Sequence, residues 1–230
     1  GEGGGRDGEV VAMVATAVGF GAATGEAGIG PVRNTRPNQG AEVRCVADQR
    51  PPSVQLAPDP DLANPAMTYQ VCLNLTREKP DKAIELAGKW IGLGGGEGAR
   101  HCQALALMGL KEYGEGASRL EELARESRQG PLVRANMLAQ AGQAWFLQGE
   151  TSRAYAAQSA ALTVVPQGTP QNAEILLDRA ATLADAGKYD EVLIDVDAAL
   201  RIIPNSADAL AYRASANRLK GKINDALADA

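Results

Sequence analysis

Catalysis needs reactive side chains at workable spacing, and this chain of 230 residues holds few. It has one histidine, His101, and three cysteines, Cys45, Cys72 and Cys102. A Ser–His–Asp or Cys–His arrangement requires a histidine oriented by a third group. His101 is the only candidate base, and it adjoins Cys102 inside a helical pattern. Adjacent residues of a helix point in different directions, so the two cannot work as base and nucleophile. A zinc site requires four ligands at short-loop spacing, and Cys45, Cys72, His101 and Cys102 lack it. The glycine-rich stretch Gly92–Gly98 has neither the strand–loop–helix setting nor the lysine and hydroxyl of a phosphate loop. It reads as a flexible turn. Glu121, Glu122, Asp185 and Asp190 read as solvated faces. The sequence thus predicts no catalytic residue, no metal and no cofactor.

Composition narrows the fold. Hydrophobic residues make up 45% of the chain and aromatics only 4%. A core must then be built from alanine and leucine, which suits closely packed helices. The net charge of −5 gives no basic surface for nucleic acid.

The clearest pattern runs from Ala173 to Ser206. Leu176, Leu177, Ala180, Leu183 and Ala184 recur at three- and four-residue steps, one face of a helix. Gly187 breaks the pattern, Tyr189 to Leu200 begin a second apolar stripe, and Pro204 closes it. The unit recurs. Counted from Ala173, Ala180 is at position 8, Gly187 at 15, Ala199 at 27 and Pro204 at 32. Counted from Ala135, Gly142, Gly149, Ala161 and Pro166 take the same four places, with Trp145 at 11 and Ala154 at 20. Counted from Ala207, Ala214, Gly221 and Ala226 fall at 8, 15 and 20. Small residues at 8 and 20 let two helices approach, and a large residue at 11 fills the space between them.

A helix–turn–helix unit of 34 residues with this spacing resembles the tetratricopeptide (TPR) repeat. The resemblance implies an all-α fold, an α-solenoid of stacked helical hairpins. Units start near 64, 97, 135, 173 and 207, and together they span 64–230. Hairpin breaks are expected near Glu78, Gly114, Gly149, Gly187 and Gly221. The first unit is irregular, with Val71 at position 8 and Trp90 at the normally small position 27. Two steps are 38 residues long because Pro131 and Pro170, after Gly130 and Thr169, open their helices about a turn early. Asn205 and Asp208 have capping-box spacing. The last unit stops at position 24, which reads as a truncated repeat of a longer array.

Residues 1–63 differ in kind. Val10–Ala23 is an apolar run too short and glycine-broken to span a membrane. It has the character of a secretory core, but Glu2, Asp7 and Glu9 precede it where a signal carries basic residues. A short helix near Val10–Phe20 and an extended proline-rich linker after Gly28 are expected. Export to the periplasm or beyond and a cytoplasmic location both stay open.

The resemblance also implies a function. In this family, positions 2, 5, 9, 12 and 13 of each first helix line a concave groove that binds peptides or partner helices. Carried over, these are His101, Leu105 and Met108; Asn136, Gln143 and Phe146; Glu174, Leu177 and Asp185; and Asp208, Ser215 and Arg218. The groove is apolar in the middle and acidic towards one end. One subfamily grips a C-terminal carboxylate with lysine, arginine and asparagine; here Thr68, Cys72, Gly98, His101 and Cys102 stand at those positions, so that clamp is absent. The expected partner is a protein or peptide. A regulatory or targeting segment of a larger protein is the alternative role. In such an array Cys72 and Cys102 fall on neighbouring first helices, close enough for a disulfide. Two partly buried free thiols are the other reading.

Overall fold

The computed structural model describes Leu62 and residues 64–229. The apolar run Val10–Ala23, the proline-rich linker and Cys45 lie outside the described residues. The described residues form helices and turns, with no strand among them. The helices are α1 (Pro65–Glu78), α2 (Pro80–Gly92), α3 (Gly96–Gly109), α4 (Tyr113–Glu126), α5 (Pro131–Leu147), α6 (Thr151–Val164), α7 (Pro170–Asp185), α8 (Tyr189–Ile202), α9 (Ala207–Leu219) and α10 (Ile223–Ala228). Among them, none is long and apolar enough to cross a membrane.

Local sequence sets each boundary. Asn64 Oδ1 accepts from the Met67 N–H at 3.2 Å, and Pro65 occupies the first turn, where a missing N–H is harmless. Thr169 Oγ1 accepts from Asn172 at 3.2 Å, and Pro170 opens α7. Ser206, not Asn205, caps α9: its Oγ accepts from the Ala209 N–H at 3.3 Å. Serine wins because the chain turns helical at Ala207, which leaves Asn205 one residue too early to reach an orphan N–H.

The hairpin turns repeat one closure. Gly149, Gly187 and Gly221 have φ of 83°, 71° and 75°, and the next residue's N–H reaches back to Trp145, Leu183 and Asn217 respectively. The second unit makes the same turn without glycine. Lys111 adopts φ 65°, and the Glu112 N–H donates to Leu107 O at 2.9 Å. The break therefore falls at Lys111, position 15, and not at Gly114, which lies inside α4.

Packing follows the small residues. A Cβ on Gly142 would come 2.6 Å from Gln158 Cγ and 3.3 Å from Ala154 O, so only glycine lets α5 and α6 approach this closely. Ala180 is fully buried at the same position of the next unit. In the first unit the buried face of α1 is Thr68, Cys72 and Thr76. The contact thus moves to Cys72, one residue beyond Val71. The glycine-rich stretch is not simply a flexible turn. α3 already begins at Gly96, and Gly95 lies where a Cβ would sit 2.6 Å from the Trp90 ring. Trp90 at position 27 is 3% exposed because those glycines make room for it.

The order of contacts is that of a solenoid. The two helices of each hairpin pack together, and each second helix packs on the next first helix. First helices also touch first helices: α1 with α3, α5 with α7, α7 with α9. Second helices do not pack on one another to a comparable extent. The first helices therefore lie on the inner face of the array.

Candidate functional site

On that inner face the expected groove residues fall into three groups. Leu105, Met108, Gln143, Phe146, Leu177 and Ser215 are half-buried. Asn136, Glu174, Asp185, Asp208 and Arg218 are exposed. His101 is buried, with both ring nitrogens occupied.

Its tautomer follows from its partners. Gln140 Oε1 accepts only, so His101 Nε2 carries the proton it shares at 2.7 Å. Nδ1 then accepts from the Tyr69 hydroxyl at 2.6 Å. Burial pushes the imidazole below its ordinary pKa, against the raising effect of the Gln140 bond. Burial also pushes the Tyr69 phenol up. The chain Tyr69–His101–Gln140 ties α1, α3 and α5 together. His101 thus acts within the fold and offers no free nitrogen to a partner or a substrate.

The acidic residues divide in the same way. Asp185 accepts from Thr151 Oγ1 at 3.0 Å, at the seam between α6 and α7. Glu121 accepts from the buried Trp145 indole N–H at 2.9 Å, and the Arg153 guanidinium stacks 3.3 Å from the indole centroid. Asp190 pairs with Lys220. Asp185 and Asp190 are exposed, as expected of solvated faces, and make these contacts at the surface, whereas Glu121 is half-buried. Glu174 and Asp208 make no ion pair among the described residues.

One acidic residue was missed altogether. Asp178 on α7 is half-buried, and burial together with neighbouring Glu174 raises its pKa to about 7. Across from it on α9 stands Tyr212, 6% exposed, whose hydroxyl has no hydrogen-bond partner. Burial, then Asp178, then Asp208, push the Tyr212 phenol up to about 12.

Cys72 and Cys102 face each other across α1 and α3. Their Cα atoms are 6.0 Å apart, inside the span a disulfide requires. Both are fully buried, in a core with Ala83, Leu86, Ala87 and Ala106. Among the described residues, no three His, Cys, Asp or Glu side chains are grouped to hold a metal ion.

No protein-family model matches the chain, and no curated protein matches it. Solved structures do. The chain is similar to a structure of the MamA protein at 15% identity, with 71% of this chain and 88% of that one covered and a TM-score of 0.56. It is similar to YrrB, described as a TPR protein with an unusual peptide-binding site, at 16% identity, with 74% and 84% covered and a TM-score of 0.54. It is also similar to TPR-like repeats of a putative kinesin light chain from Podosopora anserina, at 13% identity, with 72% and 92% covered and a TM-score of 0.60. The fold is TPR-like.

Tyr69, Gln140, Asp178 and Tyr212 all take position 6 of their units, and His101 takes position 5. A polar row thus runs along the first helices, at or one step from position 5, which is expected to line the groove. Positions 7 and 23 carry a second recurring pair. Arg179 donates to Asp195, Arg213 donates to Asp229, and Arg119 donates to Gln103 with the roles exchanged. Arginine at 7 with aspartate at 23 was the sequence signal for these clamps.

Proposed function

We propose that this chain works without catalysis, by binding a segment of another protein along the inner face of its first helices. The observation that carries the reading is a band of half-buried apolar side chains, Leu105, Met108, Phe146 and Leu177, from three successive first helices. A bound segment would remove this band from water, the main source of favourable free energy in association. Asn136 and Gln143 flank the band and supply amides that both donate and accept, which suits an extended backbone. The only histidine is committed to Tyr69 and Gln140, which leaves it no free nitrogen to act as a base. The peptide-binding site described for YrrB is a precedent on a similar fold.

Site-specific photocrosslinking tests the reading. A photoreactive residue is placed at Leu105 or Phe146, or on the second helix α8 at Ile194, which is 67% exposed. In the source cell the first two positions should give discrete crosslinked proteins and Ile194 none. Equal crosslinking at Ile194, or none at Leu105 and Phe146, would overturn it.

A further inference from the structure

The polar row is closed at one end and open at the other. Tyr69, His101 and Gln140 satisfy one another through two short hydrogen bonds. Asp178 and Tyr212, at the same position of the last two units, make no side-chain hydrogen bond to each other, and the Tyr212 hydroxyl has no partner at all. A buried hydroxyl without a partner loses its water and gains nothing in exchange. The helix of Tyr212 packs on the helix of Asp178, and burial, then Asp178, then Asp208 push the phenol up, so both carboxylates stand near it.

The charges around it are unbalanced. Glu174 and Asp178 lie on α7 and Asp208 on α9, and no ion pair of the described residues involves any of them. Four other aspartates of these units are paired: Asp195 with Arg179, Asp197 and Asp229 with Arg213, Asp190 with Lys220. The two nearest arginines in sequence, Arg179 and Arg213, each follow a residue of the row, yet both are turned to α8 and α10 and held there. Arg179 and Arg213 are therefore spent on these aspartates and do not neutralise Glu174, Asp178 or Asp208.

We infer that Asp178, Glu174, Asp208 and the Tyr212 hydroxyl form a subsite for a cationic side chain, lysine or arginine, of the bound protein segment. An ammonium or guanidinium brings several N–H donors and no acceptor. It meets carboxylates that lack a counter-charge and a hydroxyl oxygen that lacks a donor. Its charge relieves the repulsion between Glu174 and Asp178. A metal ion is the poorer match, because these carboxylates are not grouped as metal ligands. The inference rests on the groove reading above.

The test is selection of heptapeptides from a random phage-displayed library on the full chain, followed by affinity measurements with the selected peptide. Lysine or arginine should recur at one fixed place. Replacing it with norleucine should weaken binding about tenfold or more. Tyr212→Phe and Asp178→Asn should weaken the cationic peptide similarly and leave the norleucine peptide unaffected. Tyr212→Phe removes a hydroxyl that bonds to nothing in the free protein, so its denaturation midpoint should not fall. Peptides that need Phe146 but show no cationic preference, or that bind both variants as well as the parent, would overturn the inference and leave the groove reading standing. A library that yields no binder sensitive to Phe146→Asp would overturn both.

Discussion

Arg179 holds Asp195 at two points, Nε to Oδ2 at 2.8 Å and Nη2 to Oδ1 at 2.7 Å. One unit later Arg213 holds Asp229 in the same way, at 2.8 and 2.6 Å. Each pair joins the two helices of its hairpin. Asp195 is buried, so removing it leaves a guanidinium in a poorly solvated place. Asp195→Ala should cost about 3 kcal/mol, the lower end for a broken buried pair, because Arg179 keeps some water and its bond to Ser159. Urea denaturation checks this. A loss below about 1 kcal/mol, the level of a surface pair, would mean the clamp is ornamental.

Lys111 stands in a left-handed conformation where three other units carry glycine. A side chain there costs roughly 1–2 kcal/mol, and the greater freedom of glycine in the unfolded chain offsets part of the gain. Lys111→Gly should therefore stabilise the protein by about 0.5 kcal/mol. Thermal unfolding beside the parent decides the sign, and a lower midpoint would contradict the account.

These two cases show how the sequence informs and misleads. The repeat phase was legible because positions 8, 15, 20 and 32 constrain residue type through close approach, a left-handed turn and helix termination. Gly114 drew the expected break away from Lys111 because residue type alone says glycine turns, whereas the phase says position 15 turns. His101 looked like groove lining because positions are counted on one helix, and its partners Tyr69 and Gln140 arrive from two others. Asp178 and Tyr212 escaped notice for the same reason. Their significance lies in bonds they do not make, which depend on neighbours that arrive from other helices of the fold.

Cys72 and Cys102 lie 6.0 Å apart at Cα, with 30 residues separating them in sequence. The expected outcome under oxidising conditions is a bridge between α1 and α3. A closed loop of this size contributes roughly 3–4 kcal/mol in the chain-entropy model. Alkylation under denaturing, non-reducing conditions should label Cys45 alone, and reduction should lower the midpoint. Three labelled thiols would exclude the bridge.

The buried His101 makes stability depend on pH. Its folded-state pKa is lowered by burial, so folding favours the neutral ring. Its contribution is fully present above its unfolded pKa of about 6.5 and is lost as pH falls through the lower folded value. Protonation also removes the acceptor that Tyr69 uses at Nδ1. Between about pH 7.5 and 5, the parent should lose stability relative to His101→Gln. Parallel urea midpoints across that range would refute the assignment.

The central claim is that the first helices form the binding face. Hydroxyl-radical footprinting of the full chain, with and without a library-selected heptapeptide, reads the side chains directly. Bound peptide should slow oxidation of Met108 and Phe146 and leave Tyr155 and Ile194, exposed on second helices at 39% and 67%, unchanged. Protection of Tyr155 or Ile194 with Met108 and Phe146 unaffected would contradict it.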